Sequence, residues 1–300
     1  MEIPSVRPPE ELLRLRPEEA DELIDRLEAE VPVASGSFDL PGPPAVEAIV
    51  IGDTHGDWRS TQAAARRFLE NPGEKCFVGL GDYIDRPPED CPNGSVANLL
   101  YLLSLRAAYP DRVFLIQGNH ETSRRFPVLP HSLPEEVDDL WGPEEDRYSR
   151  LMGLAERGGY AALSPGGAYL AHAGFPTEAP AREWRARLAE GADGPVLDVV
   201  WRSADASRID RGFLPSFTER ELESFLGEVG ASVFLRGHDP DLTGRSSYHH
   251  RCLTIHTSRL YELYGGVLIA RLPLDRAVRS SEDIRLEHLE TEGRRSYPEP

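Results

Sequence analysis

Ile49-Val50-Ile51-Gly52-Asp53-Thr54-His55-Gly56-Asp57 is the stretch on which the reading of this chain turns. Three β-branched residues running into a glycine read as a short buried strand that stops at a loop. The loop carries an Asp and a His two residues apart, a spacing that lets an extended backbone aim both side chains at one point. Alone, such a triplet is ordinary loop polarity. Repetition gives it weight. An apolar run, a glycine and then a side chain able to bind metal recur in Phe77-Val78-Gly79-Leu80-Gly81-Asp82, in Val113-Phe114-Leu115-Ile116-Gln117-Gly118-Asn119 and in Val233-Phe234-Leu235-Arg236-Gly237-His238. Tyr169-Leu170-Ala171-His172-Ala173-Gly174 is a variant with its glycine after the histidine. Five strand tips thus deliver Asp, Asp, Asn, His and His to loops that can converge. Asp82 has two carboxylate oxygens and can bind one ion with each. Asn119 offers a neutral oxygen and His120 a proton. The imidazoles of His172 and His238 suit Zn, Fe or Mn.

Outward from these tips the chain alternates. Ala20, Leu23, Ile24 and Leu27 recur at helical spacing between Pro17 and Glu30, with proline near the start. This amphipathic helix is expected to cover the domain. Pro41-Gly42-Pro43-Pro44 separates it from the first motif strand. Helices are expected over 57–69, 95–108, 146–156, 182–190 and 218–229, and late strands over 232–235, 252–256 and 267–272. The acidic, proline-rich segment 121–169 is expected to border the site. Strands alternating with helices imply a layered α/β fold. The division expected is an N-terminal helical extension over 1–44, a catalytic domain over 45–279 and a polar tail over 280–300.

Composition excludes some partners. The 33 basic against 51 acidic residues leave a net charge of −18, a poor match for nucleic acid or an anionic membrane. Lys75 is the sole lysine, and with abundant Ala, Gly and Pro this hints at a GC-rich, bacterial genome. Three scattered cysteines, Cys76, Cys91 and Cys252, suit a reducing compartment. There is no basic-then-apolar leader at Met1-Glu2-Ile3-Pro4 and no membrane-length apolar run, so a soluble cytoplasmic protein is expected.

Gly52-Asp53-Thr54-His55-Gly56, Gly81-Asp82-Tyr83-Ile84-Asp85-Arg86, Gly118-Asn119-His120-Glu121, His172-Ala173-Gly174 and Arg236-Gly237-His238 form an ordered set over residues 47–272. As a set they resemble the calcineurin-like metallophosphoesterases, and within them the phosphoprotein phosphatase family of serine/threonine phosphatases. The resemblance implies two mixed β-sheets flanked by helices, with metals at strand-end loops. It implies two divalent ions, manganese before iron or zinc. Asp53, His55 and Asp82 would hold the first, and Asp82, Asn119, His172 and His238 the second. It implies hydrolysis of phosphorylated proteins or peptides by a hydroxide bridging the ions. His120 would protonate the leaving oxygen, and Asp85 would orient it. Arg86, Arg211 and Asn119 would bind the phosphate, as would Tyr261 at the site edge; guanidinium forks match phosphate oxygens.

The match has gaps. Wider relatives carry Gly-His-x-His late in the chain, whereas Gly237-His238 is followed by Asp239-Pro240. His249, His250 and His256 are read as ordinary loop or strand polar residues, and Arg124 and Arg125 as solvent-facing. His172-Ala173-Gly174 and Thr257-Ser258-Arg259-Leu260 depart from the family's usual residues. Substrate choice is therefore open between phosphoserine or phosphothreonine, phosphotyrosine and, as an alternative, dinucleoside tetraphosphates. A phosphodiesterase and a non-catalytic phosphate-binding module are the readings less favoured.

Overall fold

A computed structural model describes residues 6–143, 145–177, 180–209, 212 and 216–290; Arg211 lies outside the described residues. In chain order the elements begin with α1 (Pro9–Leu12), α2 (Pro17–Glu30), β1 (Ser37–Asp39), β2 (Glu47–Ile51), α3 (Trp58–Leu69), β3 (Lys75–Gly79), α4 (Gly94–Ala108) and β4 (Val113–Leu115). Next come α5 (Leu133–Trp141), α6 (Glu145–Ala155), β5 (Ala161–Leu163), β6 (Ala168–Ala171), α7 (Trp184–Glu190) and α8 (Asp193–Trp201). A two-stranded ribbon, β7 (Ser203–Ala204) with β8 (Ser216–Phe217), precedes α9 (Glu219–Val229). The last strands are β9 (Val233–Arg236), β10 (Ser246–Ser247), β11 (Cys252–Thr254), β12 (Leu268–Pro273) and β13 (Arg285–His288).

Two mixed sheets result, one of order β13-β12-β2-β3-β4 and one of order β1-β5-β6-β9-β11-β10. Strands β2, β3 and β4 are mutually parallel, and so are β6, β9 and β11. Every parallel strand tip therefore points its loop to one edge of its sheet, where open α/β sheets bind ligands. Side chains alternate across each strand. Ala48, Val50, Cys76 and Val78 from one sheet pack against Leu170, Val233, Leu235 and Leu253 from the other. Ile49, Ile51 and Phe77 face the other way, into helices α1 to α6. Tyr169, Ala171 and Phe234 face α7 to α9. The strands are apolar on both faces because both are covered, which is why they read as unbroken apolar runs.

The expected helices form within a residue or two of their expected bounds. Helix α2 buries Ala20, Leu23, Ile24 and Leu27, and Arg147 of α6 holds it through Asp21 at 2.8 and 2.9 Å. Several elements were not expected, among them α1, α8, β5 and the short strands β7, β8 and β10. β1 and β13 form sheet edges inside the segments read as extension and tail. Helix α5 has Pro134 in its first turn and is followed by Gly142, and its Glu136 accepts from the N–H of Ser95 at 2.8 Å, satisfying an orphan donor at the start of α4.

Candidate metal centre and active site

Asp53 and His55 follow β2, Asp82 and Asp85 follow β3, Asn119 and His120 follow β4, and His172 and His238 follow β6 and β9. All eight are buried. The glycines beside them are explained by crowding. A Cβ on Gly118 would lie 2.2 Å from Asp82 Oδ1, and one on Gly237 would lie 2.1 Å from Asp53 Oδ1. Each glycine leaves the space that a neighbouring carboxylate fills.

The backbone is bent to the same end. His55, Asp82, Asp85, Arg86 and His238 have φ of 43°, 54°, 67°, 53° and 70°, a region that costs non-glycine residues about 1–3 kcal/mol. Hydrogen bonds offset that cost. The N–H groups of Thr54 and His55 both donate to Asp82 O, at 3.0 and 2.9 Å. Glu121 accepts from the N–H groups of Asp82, Tyr83 and Gly118 at 2.7, 2.8 and 2.8 Å, tying the loops after β3 and β4 together. Burial and then the adjacent Asp82 push the Glu121 carboxyl up to about 7, against the pull of those donors.

Asp82 is the shared point of the cluster. The ligand atoms of Asp53, Asp82 and His172 lie within 4.8 Å of one another, as do those of His55, Asp82 and His120. His172 Nε2 is 3.0 Å from Asn119 Oδ1, 3.1 Å from His238 Nδ1 and 3.5 Å from Asp82 Oδ2. His55 Nε2 is 3.6 Å from Asp82 Oδ2. The other nitrogens of His55 and His172 are 3.0 Å from the carbonyls of Ile84 and Leu80, which fixes the rings and leaves Nε2 facing inward. Burial, then the neighbouring His120 ring, push His55 down to about 4, so near pH 7 it is neutral, the form that ligates metal.

The donor set fits divalent ions. Carboxylates, an amide oxygen and imidazoles converge, and the Nε2 atoms of His55, His120 and His256 are buried with no hydrogen-bond partner. Such orphans are rare in native proteins unless something else occupies them.

His120 is held differently. Its Nδ1 is 2.6 Å from Asp85 Oδ2, its N–H donates to Asp82 Oδ1 at 3.1 Å and its Nε2 is 4.0 Å from Asp82 Oδ2. Burial works against charge on His120, but Asp82 and Asp85 outweigh it and raise its pKa. Asp85 also meets His131 Nδ1 at 3.0 Å and the N–H groups of Ser132 and Leu133 at 2.8 and 3.1 Å. Burial pushes Asp85 upward, yet the bonds to His120 and His131 hold it well below the usual carboxylate range.

The rim is sparser. Arg86 is half-buried, donates to Leu129 O at 3.0 Å and is close enough for its charge to depress both His55 and His120. Tyr261 is buried with its ring 5.8 Å from that of His55 and 4.5 Å from that of His256. Arg124 pairs with Glu156 and Arg125 with Asp193, each turned to an acid on the surface. His249 is exposed beside Glu219. His256 departs from its reading as an ordinary polar residue: it is fully buried, with Nε2 3.3 Å from Asp53 Oδ2. His131 and His256 carried no local signal, because each acquires its partners only through the fold, whereas Glu121 stands within Gly118-Asn119-His120-Glu121, where the resemblance assigns it no role.

The sequence profile of the calcineurin-like phosphoesterases matches residues 47–242, most of the chain. This chain belongs to that family. Among curated relatives, "Serine/threonine-protein phosphatase PP2A-like PPG1" of Candida albicans is 27% identical over 257 residues, 82% of this chain. The alignment spans only 59% of that relative's length. Among solved structures, a protein serine/threonine phosphatase from Saccharomyces cerevisiae with similarity to human phosphatase PP5 superposes with a TM-score of 0.68. The match covers 97% of this chain and 92% of that one, at 17% identity. A cold-active protein-tyrosine phosphatase of a psychrophilic Shewanella species gives 0.55 over 82% of this chain and 84% of that one, at 15% identity. At these identities the superpositions show a shared phosphoesterase fold, with its two mixed sheets and flanking helices.

Proposed function

We propose that this calcineurin-like phosphoesterase is a metal-dependent phosphomonoester hydrolase acting on phosphorylated proteins, phosphoserine and phosphothreonine first. The observation that carries the reading is the convergence of buried ligand side chains on Asp82 beside a separately held His120–Asp85 pair. In the assignment the fold supports, Asp53, His55 and Asp82 hold one ion, and Asp82, Asn119, His172 and His238 the other. Two such ions, when bound, activate water and balance the charge on a transferring phosphoryl group.

The chain's own residues do the rest. His120 donates a proton to the leaving oxygen from Nε2, the nitrogen not engaged by Asp85. Asp85, fixed by two backbone N–H groups, sets the ring's tautomer and orientation. Arg86 and Arg211 clamp non-bridging oxygens, with Asn119 beside them, and Tyr261 borders the pocket. The family resemblance puts manganese first, with iron or zinc as competitors that the same oxygen and imidazole donors also suit. The relative named a serine/threonine phosphatase supports a phosphoprotein substrate. Three buried, unpaired cysteines suit a reducing compartment such as the bacterial cytoplasm. Among the described residues no helix is long and apolar enough to cross a membrane.

One assay panel with manganese tests this: phosphoserine, phosphothreonine and phosphotyrosine peptides, a diester, and a dinucleoside polyphosphate. Phosphate release from the peptides, abolished by chelator and restored by manganese, is the expected result. A diester or dinucleotide rate above every peptide rate overturns it.

A further inference from the structure

His256 is assigned no role by the resemblance or by the ligand sets above, yet it is built into the centre. It lies two residues beyond β11, on the same side of its sheet as the tips of β6 and β9. An isolated parallel bridge pairs His256 with Asp53, and the Thr257 N–H donates to Asp53 O at 3.0 Å. This pairing joins the two sheets at the ligand edge. The His256 ring is fully buried, and its Nε2 lies 3.3 Å from Asp53 Oδ2 without making a hydrogen bond to it or to any other group.

The proton on this ring can be placed. Thr243 Oγ1 donates its single hydrogen to Pro240 O at 2.6 Å. The same oxygen is 2.8 Å from His256 Nδ1, so it accepts there and Nδ1 carries the N–H. With Nδ1 engaged by Thr243, Nε2 is the nitrogen turned toward Asp53 Oδ2. A cation placed against both would be held by an imidazole nitrogen and a carboxylate oxygen together. A ligating histidine whose other nitrogen is anchored to an oxygen is the usual arrangement at metal sites. Tyr261 packs edge-on against the His256 ring at 4.5 Å and also borders His55, so both imidazoles are braced by one side chain.

We propose that His256 Nε2 is a fourth protein ligand of the ion held by Asp53, His55 and Asp82. It would supply, from a different strand, the imidazole that is missing where Pro240 follows Gly237-His238-Asp239. The inference rests on the reading of the site as a metal pair.

The test counts imidazole nitrogens directly. Full-length protein labelled with nitrogen-15 at histidine is loaded with cadmium-113, and nitrogens with one-bond coupling to cadmium are recorded. Couplings from His55, His172, His238 and His256 are expected, with the His256 signal alone lost in His256→Gln. Manganese affinity measured by calorimetry should fall at least tenfold at one site in that variant and stay unchanged at the other. Wild-type protein that binds two cadmium ions but shows only the first three couplings overturns the His256 assignment and leaves the metal centre intact. Lost affinity with no wild-type His256 coupling also overturns it, because His256 would then act only through Asp53. Wild-type protein that binds no divalent ion overturns the metal reading itself. The wild-type count stands whether or not the variant folds.

Discussion

At the strand tips the charged groups are buried, backbone N–H groups donate to Asp53, Asp82 and Asp85, and the chain bends into left-handed conformations to place them. On the N-terminal cover the arrangement is reversed. Helix α2 buries only apolar residues, and its acids stay outside, where Asp21, Asp25 and Glu28 meet Arg147 and Arg150 with side-chain exposures of 38%, 71% and 36%. Charge organises the first region, whereas apolar packing organises the second and its ion pairs add little. Substitutions at the tips should therefore remove chemistry and spare the fold, while substitutions in the cover should weaken the fold and spare the chemistry.

The sharpest break of that contrast is Asp82→Asn. It should empty or disorder the metal pair and cost more than the roughly 100-fold that loss of an outer-shell partner costs. Elemental analysis and phosphate release read it together; two tightly bound ions in the variant would remove Asp82 from the centre. His120→Asn should keep both ions while turnover on an alkyl phosphate falls by about 10²–10⁴. An activated aryl phosphate, with its better leaving group, should suffer much less, and equal losses on both would assign His120 a structural role. In the cover, Leu27 is fully buried, and Leu27→Ala should lower stability by about 2–5 kcal/mol with kcat unchanged in the folded fraction. A fall in kcat at full folding would make α2 part of the active site.

The smallest effect belongs to the Asp21–Arg147 pair. Its hydrogen bond to Arg147 holds Asp21 below its ordinary value, against burial. A depressed carboxyl stabilises fully above its unfolded pKa, and that contribution is lost as pH falls through the folded value. Asp21→Asn should thus cost about 1 kcal/mol or less at pH 7 and nothing at strongly acid pH. Urea unfolding across pH 2–7 measures it, and a larger loss at acid pH than at neutral would reverse the assignment.

What was legible in the sequence follows from the same contrast. The inner strands announced themselves because both faces are apolar, and the ligands other than His172 because each stands beside a glycine, two of which the crowding by Asp53 and Asp82 demands. Helix α5 was legible too: Pro134, Glu135 and Glu136 at its start and Gly142 at its end are ordinary boundary signals. They were read only as a proline-rich, acidic segment. β1 and β13 were not legible, since three residues at one sheet edge and Arg285-Leu286-Glu287-His288 at another bury little and so show no apolar run. His131 and His256 lie in unremarkable polar contexts, and their meaning is set by Asp85 and Asp53, which the fold alone brings near.

β12 pairs with β2 on one side and with β13 on the other, although it follows β2 by most of the chain. During synthesis Asp53, His55, Asp82 and Asn119 leave the ribosome first, His172 and His238 follow, and the strand that closes the edge of β2 comes afterwards. Until then the nascent chain presents an unpaired apolar strand beside candidate ligands already made, a combination open to pairing with other chains. The centre is thus a late product of biogenesis. A chain truncated before Leu268 would carry every candidate ligand and still lack the strand that closes the edge of β2.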